Sequence, residues 1–301
     1  MNLKKGLLVI LVYFYSSDVC GCTTSMAYDI YAPSNEAATT ASPIILLHDF
    51  LESKKTWTQV AQPLADKTGK LVYAVDLRNH GDSPWTEEFN ISVITEDLED
   101  FIKSKNISEA ILVGHSMGGR LAQTVALKQS DKVEKLIIEE MSTANVSTAV
   151  HPAIVGLQIR LLKHAFSIIP NDTDEETALN IIKEFLEFRT PKFLLTCNSI
   201  DMSPIYISNG SANYRANVPV LEEKFYSGAL DENLTGIYER NTLFIYGTSS
   251  DVKVDNDELI KDYFPKAQLL GFKGGNHFIH QSYPEDFVRE TARFITGVIN
   301  P

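Results

Sequence analysis

Six short apolar runs recur along the chain without the polar alternation of a half-exposed strand. The runs are Pro43–Leu47, Leu71–Val75, Ala110–Val113, Leu136–Ile138, Thr242–Tyr246 and Gln268–Phe272. This pattern is typical of parallel strands that are buried on both faces. Amphipathic stretches that favour helices lie between or after the runs: Lys54–Lys67, Ile91–Lys105, Ser116–Lys128 and Pro284–Ile299. The alternation predicts an α/β fold in which helices flank a mostly parallel, doubly wound sheet.

The pattern changes between residues 142 and 238. This segment contains two amphipathic stretches, Ile154–Ile169 and Thr177–Arg189, and no strong signal for a parallel strand. A mostly helical insertion of this kind is expected to cover a pocket as a cap. We therefore predict a core made of residues 22–141 and 239–301, with residues 142–238 as a helical cap or lid.

The first 21 residues form a separate segment. Met1–Gly6 is short and basic, and Leu7–Tyr15 is an unbroken run of nine apolar residues. Such a run is too short to span a bilayer as a helix, but it suits the hydrophobic region of a signal peptide. Residues 1–21 are therefore predicted to be a cleaved signal peptide. A membrane anchor or a mitochondrial location is the alternative.

Six N-x-[S/T] sequons also favour export, because this tripeptide is the acceptor for N-glycans in the secretory pathway. The acceptor residues are Asn90, Asn106, Asn145, Asn171, Asn209 and Asn233. The chain has only three cysteines, which argues against a disulfide-based scaffold. We expect a secreted glycoprotein with an ordinary hydrophobic core.

The 301-residue chain carries 39 acidic and 27 basic residues, which gives a net charge of −12. An acidic surface repels phosphates, so a nucleic-acid partner is not expected. No later segment has the length of a membrane span. No cofactor or metal is predicted either, because the chain lacks a dinucleotide fingerprint, a P-loop and a local Cys/His spacing for zinc. The expected partner is a small-molecule substrate.

The segment Gly114–Gly119 reads Gly-His-Ser-Met-Gly-Gly and lies directly between a predicted strand and a predicted helix. A G-x-S-x-G pattern in this context is typical of a nucleophile elbow, which raises the serine hydroxyl at the carboxyl end of the sheet. The N-terminus of the following helix favours negative charge that develops there. Ser116 is therefore the predicted nucleophile.

A nucleophilic serine needs a general base, and His277 is the best placed of the seven histidines. It lies in the loop between the last predicted strand and the last helix, at the same edge of the sheet as the elbow. The chain order of serine, acid and histidine is the one expected of such hydrolases. His280 is the competing candidate, whereas His48 and His115 are expected to buttress loops.

Two carboxylates follow core strands and could orient the histidine. Glu140 comes after the run Leu136–Ile138, and Asp251 comes after the run Thr242–Tyr246. Either strand end can deliver a carboxylate to His277, where it would fix the tautomer and stabilise the imidazolium. Spacing leaves both candidates open.

An acyl-transfer site also needs hydrogen-bond donors for the oxyanion. The backbone N–H of Met117, directly after the nucleophile, is the first candidate donor. The second is expected from the loop after the first core strand, where the N–H of Phe50 is the candidate.

These residues resemble the α/β-hydrolases, and in particular the branch of abhydrolase domain-containing protein 11 and its bacterial esterase relatives. The stretches that carry the resemblance are Leu46–His48, Ser53–Lys54, Val75–Pro84, Gly114–Gly119, Phe193–Thr196, Tyr214–Asn217 and Phe264–Ala267. It covers the chain from about Pro43 to the C-terminus. The resemblance implies a serine hydrolase of acyl esters such as diacylglycerol, with Ser116 as nucleophile and His277 as base. It favours Glu140 as the acid, although the wider superfamily also uses the position of Asp251.

The chain departs from the family pattern in the loop that should complete the oxyanion hole. The family has His-Gly-x-x-Gly where this chain has His-Asp-Phe-Leu-Glu, so Asp49 and Glu52 replace both glycines. Negative side chains beside a developing oxyanion oppose catalysis. The leading hypothesis is a secreted serine esterase that acts on lipid or other acyl esters. The alternative is a secreted, non-catalytic binding protein on a degenerate hydrolase scaffold.

Overall fold

The computed structural model describes residues 24–34, 42–150, 152–189, 205–208 and 211–297. Its strands are β1 (Tyr28–Tyr31), β2 (Ile44–Leu47), β3 (Val72–Val75), β4 (Ala110–His115), β5 (Val133–Glu139), β6 (Ile205–Ser208), β7 (Ser211–Tyr214), β8 (Thr242–Gly247) and β9 (Ala267–Phe272). Seven of these strands form one sheet in the order β1-β3-β2-β4-β5-β8-β9. Strand β1 pairs antiparallel with β3, and the remaining pairings in this sheet are parallel. The predicted α/β architecture with a mostly parallel sheet is confirmed.

Helices connect the strands and cover both faces of the sheet. They are α1 (Thr58–Thr68), α2 (Ile91–Ser104), α3 (Met117–Lys128), α4 (Val146–Ala149), α5 (Pro152–Ser167), α6 (Glu175–Arg189), α7 (Val218–Tyr226), α8 (Ile260–Tyr263), α9 (Ile279–Ser282) and α10 (Pro284–Thr296). The stretches predicted as helices from their amphipathic pattern correspond to α1, α2, α3, α5, α6 and α10. Most of their boundaries agree within two or three residues.

Strand β2 shows why the apolar runs have no polar alternation. Ile44 and Leu46 point to one face, where they join the apolar cluster formed with Trp57 and α1 and α10. Ile45 and Leu47 point to the opposite face, into the cluster that contains α2 and α3. All four side chains are fully buried. Because successive side chains alternate between two covered faces, every position of the strand must be apolar.

Two strand pairings were not predicted. Strand β1 is an edge strand whose residues are half-buried or exposed, so its sequence carries no buried run. It becomes a strand because the edge of β3 offers ladder hydrogen bonds, with Tyr28 paired opposite Val75. The hairpin of β6 and β7 lies in the segment predicted to be helical and irregular. In both cases the segment forms a strand because a partner strand is available, and the local sequence does not show which partner that is.

Part of the insertion between residues 142 and 238 packs onto the core. Val155 and Ile159 from α5, and Leu221 and Phe225 from α7, belong to the same apolar cluster as Met117 at the start of α3. These four side chains are buried. The insertion therefore packs apolar side chains onto the core of the sheet.

Several sequence-based predictions fall outside the described residues. They concern the signal peptide at residues 1–21, the three cysteines and the sequon at Asn209. Within the described part of the chain, no helix is long and apolar enough to cross a bilayer.

A buried ion pair ties the N-terminal segment to the core. Arg78 donates from Nε and Nη2 to the two carboxylate oxygens of Asp97, at 2.5 and 2.7 Å. Asp97 also accepts hydrogen bonds from the backbone N–H and the hydroxyl of Thr24. Both charged side chains are at most 1% exposed. Removal of either charge would leave the other one buried and unpaired.

We expect Asp97→Asn to lower the free energy of unfolding by about 3 kcal/mol or more, because the Arg78 charge stays buried without its partner. Urea denaturation measures this loss. Glu222→Gln is the matched control, since its partner Lys163 is 48% exposed. A surface pair should contribute less than about 1 kcal/mol. Equal losses for the two variants would contradict the assignment of the Arg78–Asp97 pair as a structural anchor.

Candidate active site

The sheet brings the candidate residues together at one edge, because the carboxyl ends of its parallel strands all point there. Asp49 follows β2, Ser116 follows β4, Glu140 follows β5 and His277 follows β9. These four residues are separated by up to 228 positions in sequence (277 − 49). The topology of the sheet makes them neighbours.

Ser116 occupies a tight turn between β4 and α3. Its φ of 50° and ψ of −113° lie in a region that residues other than glycine rarely adopt. A Cβ atom on Gly118 would lie 2.3 Å from the carbonyl oxygen of Leu47, so only glycine fits at that position. The segment therefore has the strained strand–turn–helix geometry that its G-x-S-x-G pattern predicts.

His277 lies against the buried carboxylate of Glu140. Nδ1 of the imidazole is 3.2 Å from Oε2 of Glu140, whose side chain has no exposed surface. The other oxygen, Oε1, accepts the backbone N–H of Gly247 at 2.5 Å. The hydroxyl of Ser250 donates to Oε2. Glu140 is thus held from several sides and can fix the orientation of the imidazole.

The structure separates the two candidate acids that the sequence left open. Glu140 contacts His277, whereas the side chain of Asp251 is exposed on the loop after β8. The neighbouring Ser250 points inward and donates to Glu140. The loop after β8 therefore supplies the hydroxyl of Ser250 to the buried carboxylate of Glu140, whereas the carboxylate of Asp251 in the same loop faces solvent.

The carboxylate of Asp49 lies between His277 and the elbow. Its Oδ2 is 3.4 Å from Nε2 of His277, and its Oδ1 accepts the backbone N–H of Met117 at 3.2 Å. The backbone N–H of Phe50 also stabilises this carboxylate. Met117 and Phe50 are the two donors predicted for an oxyanion. In the structure both of them face the negative charge of Asp49.

Two carboxylates therefore flank one imidazole. Burial acts to lower the pKa of His277, but the hydrogen bonds and charges of Asp49 and Glu140 outweigh it and raise the pKa to about 10. Burial acts to raise the pKa of Asp49, but His277 and the charge of His115 hold this pKa well below its usual range. The pair is an ion pair at neutral pH, so His277 carries a proton on each nitrogen.

The loop after β2 is anchored by its own polar residues. Nε2 of His48 accepts the N–H of Leu77 at 3.0 Å, while Nδ1 donates to the carbonyl of Asp49 at 2.7 Å. Oε2 of Glu52 lies 3.4 Å from the backbone nitrogen of Asp49, which donates to it. The predicted buttressing role of His48 is confirmed, and Glu52 takes part in the same arrangement.

His280, the competing base candidate, is engaged elsewhere. Its Nδ1 lies 2.8 Å from Oε2 of Glu139, and its Nε2 lies 2.9 Å from Oγ1 of Thr56. The sequence analysis did not single out Glu139. A signal for it existed, because two consecutive glutamates at the end of a buried strand must point to opposite faces and each needs a partner. Glu139 finds His280, and Glu140 finds His277.

Comparison with known proteins agrees with this architecture. A family model described as alpha/beta hydrolase fold matches residues 42–282. The chain belongs to the α/β-hydrolase family. This hydrolase is 27% identical to sn-1-specific diacylglycerol lipase ABHD11 from Danio rerio, over 90% of its own length and 82% of the relative. The resemblance found in the sequence motifs is thereby confirmed.

Two further relatives show what else the family includes. Ethanol acetyltransferase 1 from Cyberlindnera fabianii is 24% identical over 90% of this hydrolase and 86% of the relative. The solved structure of a marine microorganism esterase superposes with a TM-score of 0.74 at 27% identity, over 90% of this chain and 100% of that one. The relatives' names support a hydrolase that is similar to lipases and esterases.

We expect Glu140→Gln to lower the pKa of His277 by about 1 unit or more, because the substitution removes one of the two charges that stabilise the imidazolium. NMR titration of the His277 ring resonances measures this change. Asp251→Asn is the control and should leave the His277 titration unchanged, since Asp251 is exposed on its loop. If Asp251→Asn shifts the titration and Glu140→Gln does not, the described pairing is wrong.

Proposed function

We propose that this hydrolase cleaves carboxylic esters of acyl chains through an acyl-enzyme intermediate, with Ser116 as nucleophile, His277 as general base and Glu140 as the orienting acid. The observation that carries the proposal is the contact of half-buried His277 with the buried Glu140, at the same edge of the sheet as the strained elbow of Ser116. A nucleophile, a base and an acid from three strand ends are the parts that this chemistry requires.

In the proposed reaction, Oγ of Ser116 attacks the ester carbonyl while Nε2 of His277 accepts its proton. The imidazolium then gives this proton to the leaving alkoxide, and an acyl-serine forms. Water, deprotonated by His277, attacks the acyl-serine and releases the carboxylic acid. The N–H groups of Met117 and Phe50 would stabilise the oxyanion of each tetrahedral intermediate.

Asp49 acts against this reaction in two ways. Its carboxylate accepts the Met117 N–H that the oxyanion needs, and it keeps Nε2 of His277 protonated. We therefore propose that the Asp49 side chain turns away when substrate binds, and that the free enzyme is a poor esterase at neutral pH. With a pKa near 10, His277 would be almost entirely protonated at pH 7 and could not act as a base.

The substrate class follows from the apolar surroundings of the site. Phe50 packs against Phe225 of α7, with ring centroids 5.3 Å apart. Val155 and Ile159 of α5 lie in the same apolar cluster as Met117. An apolar lining favours acyl chains over charged substrates. The name of the diacylglycerol lipase relatives supports lipid esters as substrates.

Export stays part of the proposal. The sequons at Asn106, Asn171 and Asn233 have exposed asparagine side chains, as N-glycosylation requires. The N-terminal residue of the protein collected from a secreting eukaryotic cell would check removal of residues 1–21.

A fluorophosphonate probe, which reacts with activated serines, tests the proposed nucleophile. We expect labelling of the wild-type protein and none of Ser116→Ala, because the probe needs the hydroxyl of Ser116. Mass spectrometry of the labelled peptide identifies the site. Ser250→Ala is a useful control, since its hydroxyl donates to Glu140 and accepts the N–H of Val252 and is not the proposed nucleophile. If the folded wild-type protein is not labelled even at alkaline pH, the non-catalytic binding protein becomes the better reading, and the occupied oxyanion donors would explain it.

We expect Asp49→Asn to increase the rate of ester hydrolysis at pH 7 by about tenfold or more and to move the acidic limb of the pH–rate profile to lower pH. The sign follows because loss of the Asp49 charge lowers the pKa of His277, so the basic form appears at lower pH.

Asp49→Gly removes the side chain as well as its charge, so comparison with Asp49→Asn shows whether the charge or the blocked Met117 N–H lowers the rate. It restores the glycine that the resemblance predicts and empties the space in front of the Met117 N–H. The p-nitrophenyl esters of short and medium acyl chains provide the rates. A rate that stays constant or falls in both variants, with the fold intact, would refute the inhibitory role of Asp49.

A further inference from the structure

A second group of buried polar residues lies next to the proposed triad and takes no part in the proposed reaction. It consists of Glu52, Thr56, His115, Glu139 and His280. Their side chains are fully or almost fully buried, with Glu52 the most exposed at 14%. They come from the loop after β2 and the turn that follows it, the ends of β4 and β5, and helix α9.

His280 is held in a defined orientation by Glu139. Both the backbone N–H and Nδ1 of His280 donate to this carboxylate, at distances of 2.8 to 2.9 Å. A carboxylate can only accept, so Nδ1 carries the proton. In the neutral ring the lone pair then lies on Nε2, which is 2.9 Å from Oγ1 of Thr56. This carboxylate–histidine arrangement is the one that orients histidine ligands in metal sites.

His115 is oriented in the complementary way. Its Nε2 donates to the backbone carbonyl of His277 at 2.7 Å, which fixes the proton on that nitrogen. Its Nδ1 is buried and has no hydrogen-bond partner among the described residues. Oε2 of Glu52 lies 3.5 Å from this Nδ1. A metal ion bound here would take the place of a proton on this nitrogen.

The spacing of these atoms fits a small cation. Glu52, His115 and His280 each offer one ligand atom, and these atoms lie within 4.8 Å of one another. Two ligands of a tetrahedral zinc ion, each about 2.1 Å from the metal, are about 3.4 Å apart. The observed 3.5 Å between Oε2 of Glu52 and Nδ1 of His115 matches this value.

The local charge also favours a cation. Asp49, Glu52, Glu139 and Glu140 lie close together, and their ion pairs within the described chain all run to imidazoles. Neutral imidazoles would leave four negative charges in a largely buried cluster, which is strongly unfavourable. Protons on the imidazoles are one way to balance this charge. A divalent cation is the other way.

We propose that Glu52, His115 and His280 bind one divalent transition-metal ion, with zinc as the best match, and that Glu139 orients His280 from behind. One carboxylate and two imidazoles suit zinc, which then keeps a fourth position for water or for the hydroxyl of Thr56. Glu52 and His115 are 63 positions apart in sequence, and His115 and His280 are 165 positions apart (115 − 52 and 280 − 115). No local spacing motif therefore indicates the site.

Metal binding is measured on the full chain without substrate, which separates this proposal from the proposed ester hydrolysis. We expect one equivalent of zinc per chain in equilibrium dialysis, and for Co²⁺ the visible absorption bands of a four-coordinate ion. Glu52→Gln and His280→Gln should each lower zinc affinity at least tenfold. Glu139→Gln, which removes only the orienting carboxylate, should lower it about 10- to 100-fold.

Two controls keep the test specific. Ser116→Ala and Asp251→Asn should bind zinc like the wild-type protein. A second possible set, Asp49, His115 and His277, shares one residue with the proposed site. If Asp49→Asn abolishes zinc binding and His280→Gln does not, the metal binds at the triad and the proposal is wrong. It is also wrong if the wild-type protein, shown by circular dichroism to be folded, binds less than one equivalent and gives no cobalt spectrum.

Discussion

The burial of the Glu140 carboxylate is the constraint on which the geometry of the site depends. A carboxylate without exposed surface is stable only when hydrogen-bond donors surround it. Here the donors come from Gly247 at the end of β8, from Ser250 in the loop after it and from His277 after β9. One buried charge therefore fixes two loops against the end of β5. These loops position the imidazole of His277, which contacts Asp49, and Asp49 lies between this imidazole and the elbow.

The same edge of the sheet holds more negative charge than a catalytic triad needs. Asp49 adds a carboxylate to the second nitrogen of His277, while Glu52 and Glu139 add two more beside His115 and His280. Burial alone would make these imidazoles neutral, but the carboxylates raise the pKa of His115 to about 9 and that of His277 to about 10. His115 and His277 are thus held as cations between anions in the absence of a metal ion. This feature distinguishes the site from one in which the base is free at neutral pH.

The elements that could be predicted are those whose signal is local. A strand covered on both faces must be apolar at every position, so β2, β3, β4, β5 and β8 were predicted from their runs. The run of β9 also predicted a strand, but the expectation that it is buried on both faces is wrong, because β9 lies at the edge of the sheet and most of its positions are exposed or half-buried. The elbow was predicted because its turn needs glycine beside Ser116. Strand β1 and the β6–β7 hairpin were not predicted, since their stability comes from partners that are distant or weakly patterned. Spacing in the sequence could not distinguish Glu140 from Asp251 as the partner of His277 for a similar reason. Both follow strands of the same edge, and only the direction of the two loops makes one buried and the other exposed.

The sequence by itself determined the α/β class, the family, the position of the elbow and the placement of His277 at the same edge of the sheet. These features depend on the periodicity of apolar residues, on the glycines of the elbow and on the order of strands and helices, all of which can be recognised from neighbouring residues. Only the tertiary structure decided which acid contacts His277, that Asp49 faces the donors of Met117 and Phe50, and that Glu139 is the partner of His280. These contacts join residues from different strand ends. Their distances depend on strand order, register and loop direction, which packing of the whole chain sets and no local pattern contains.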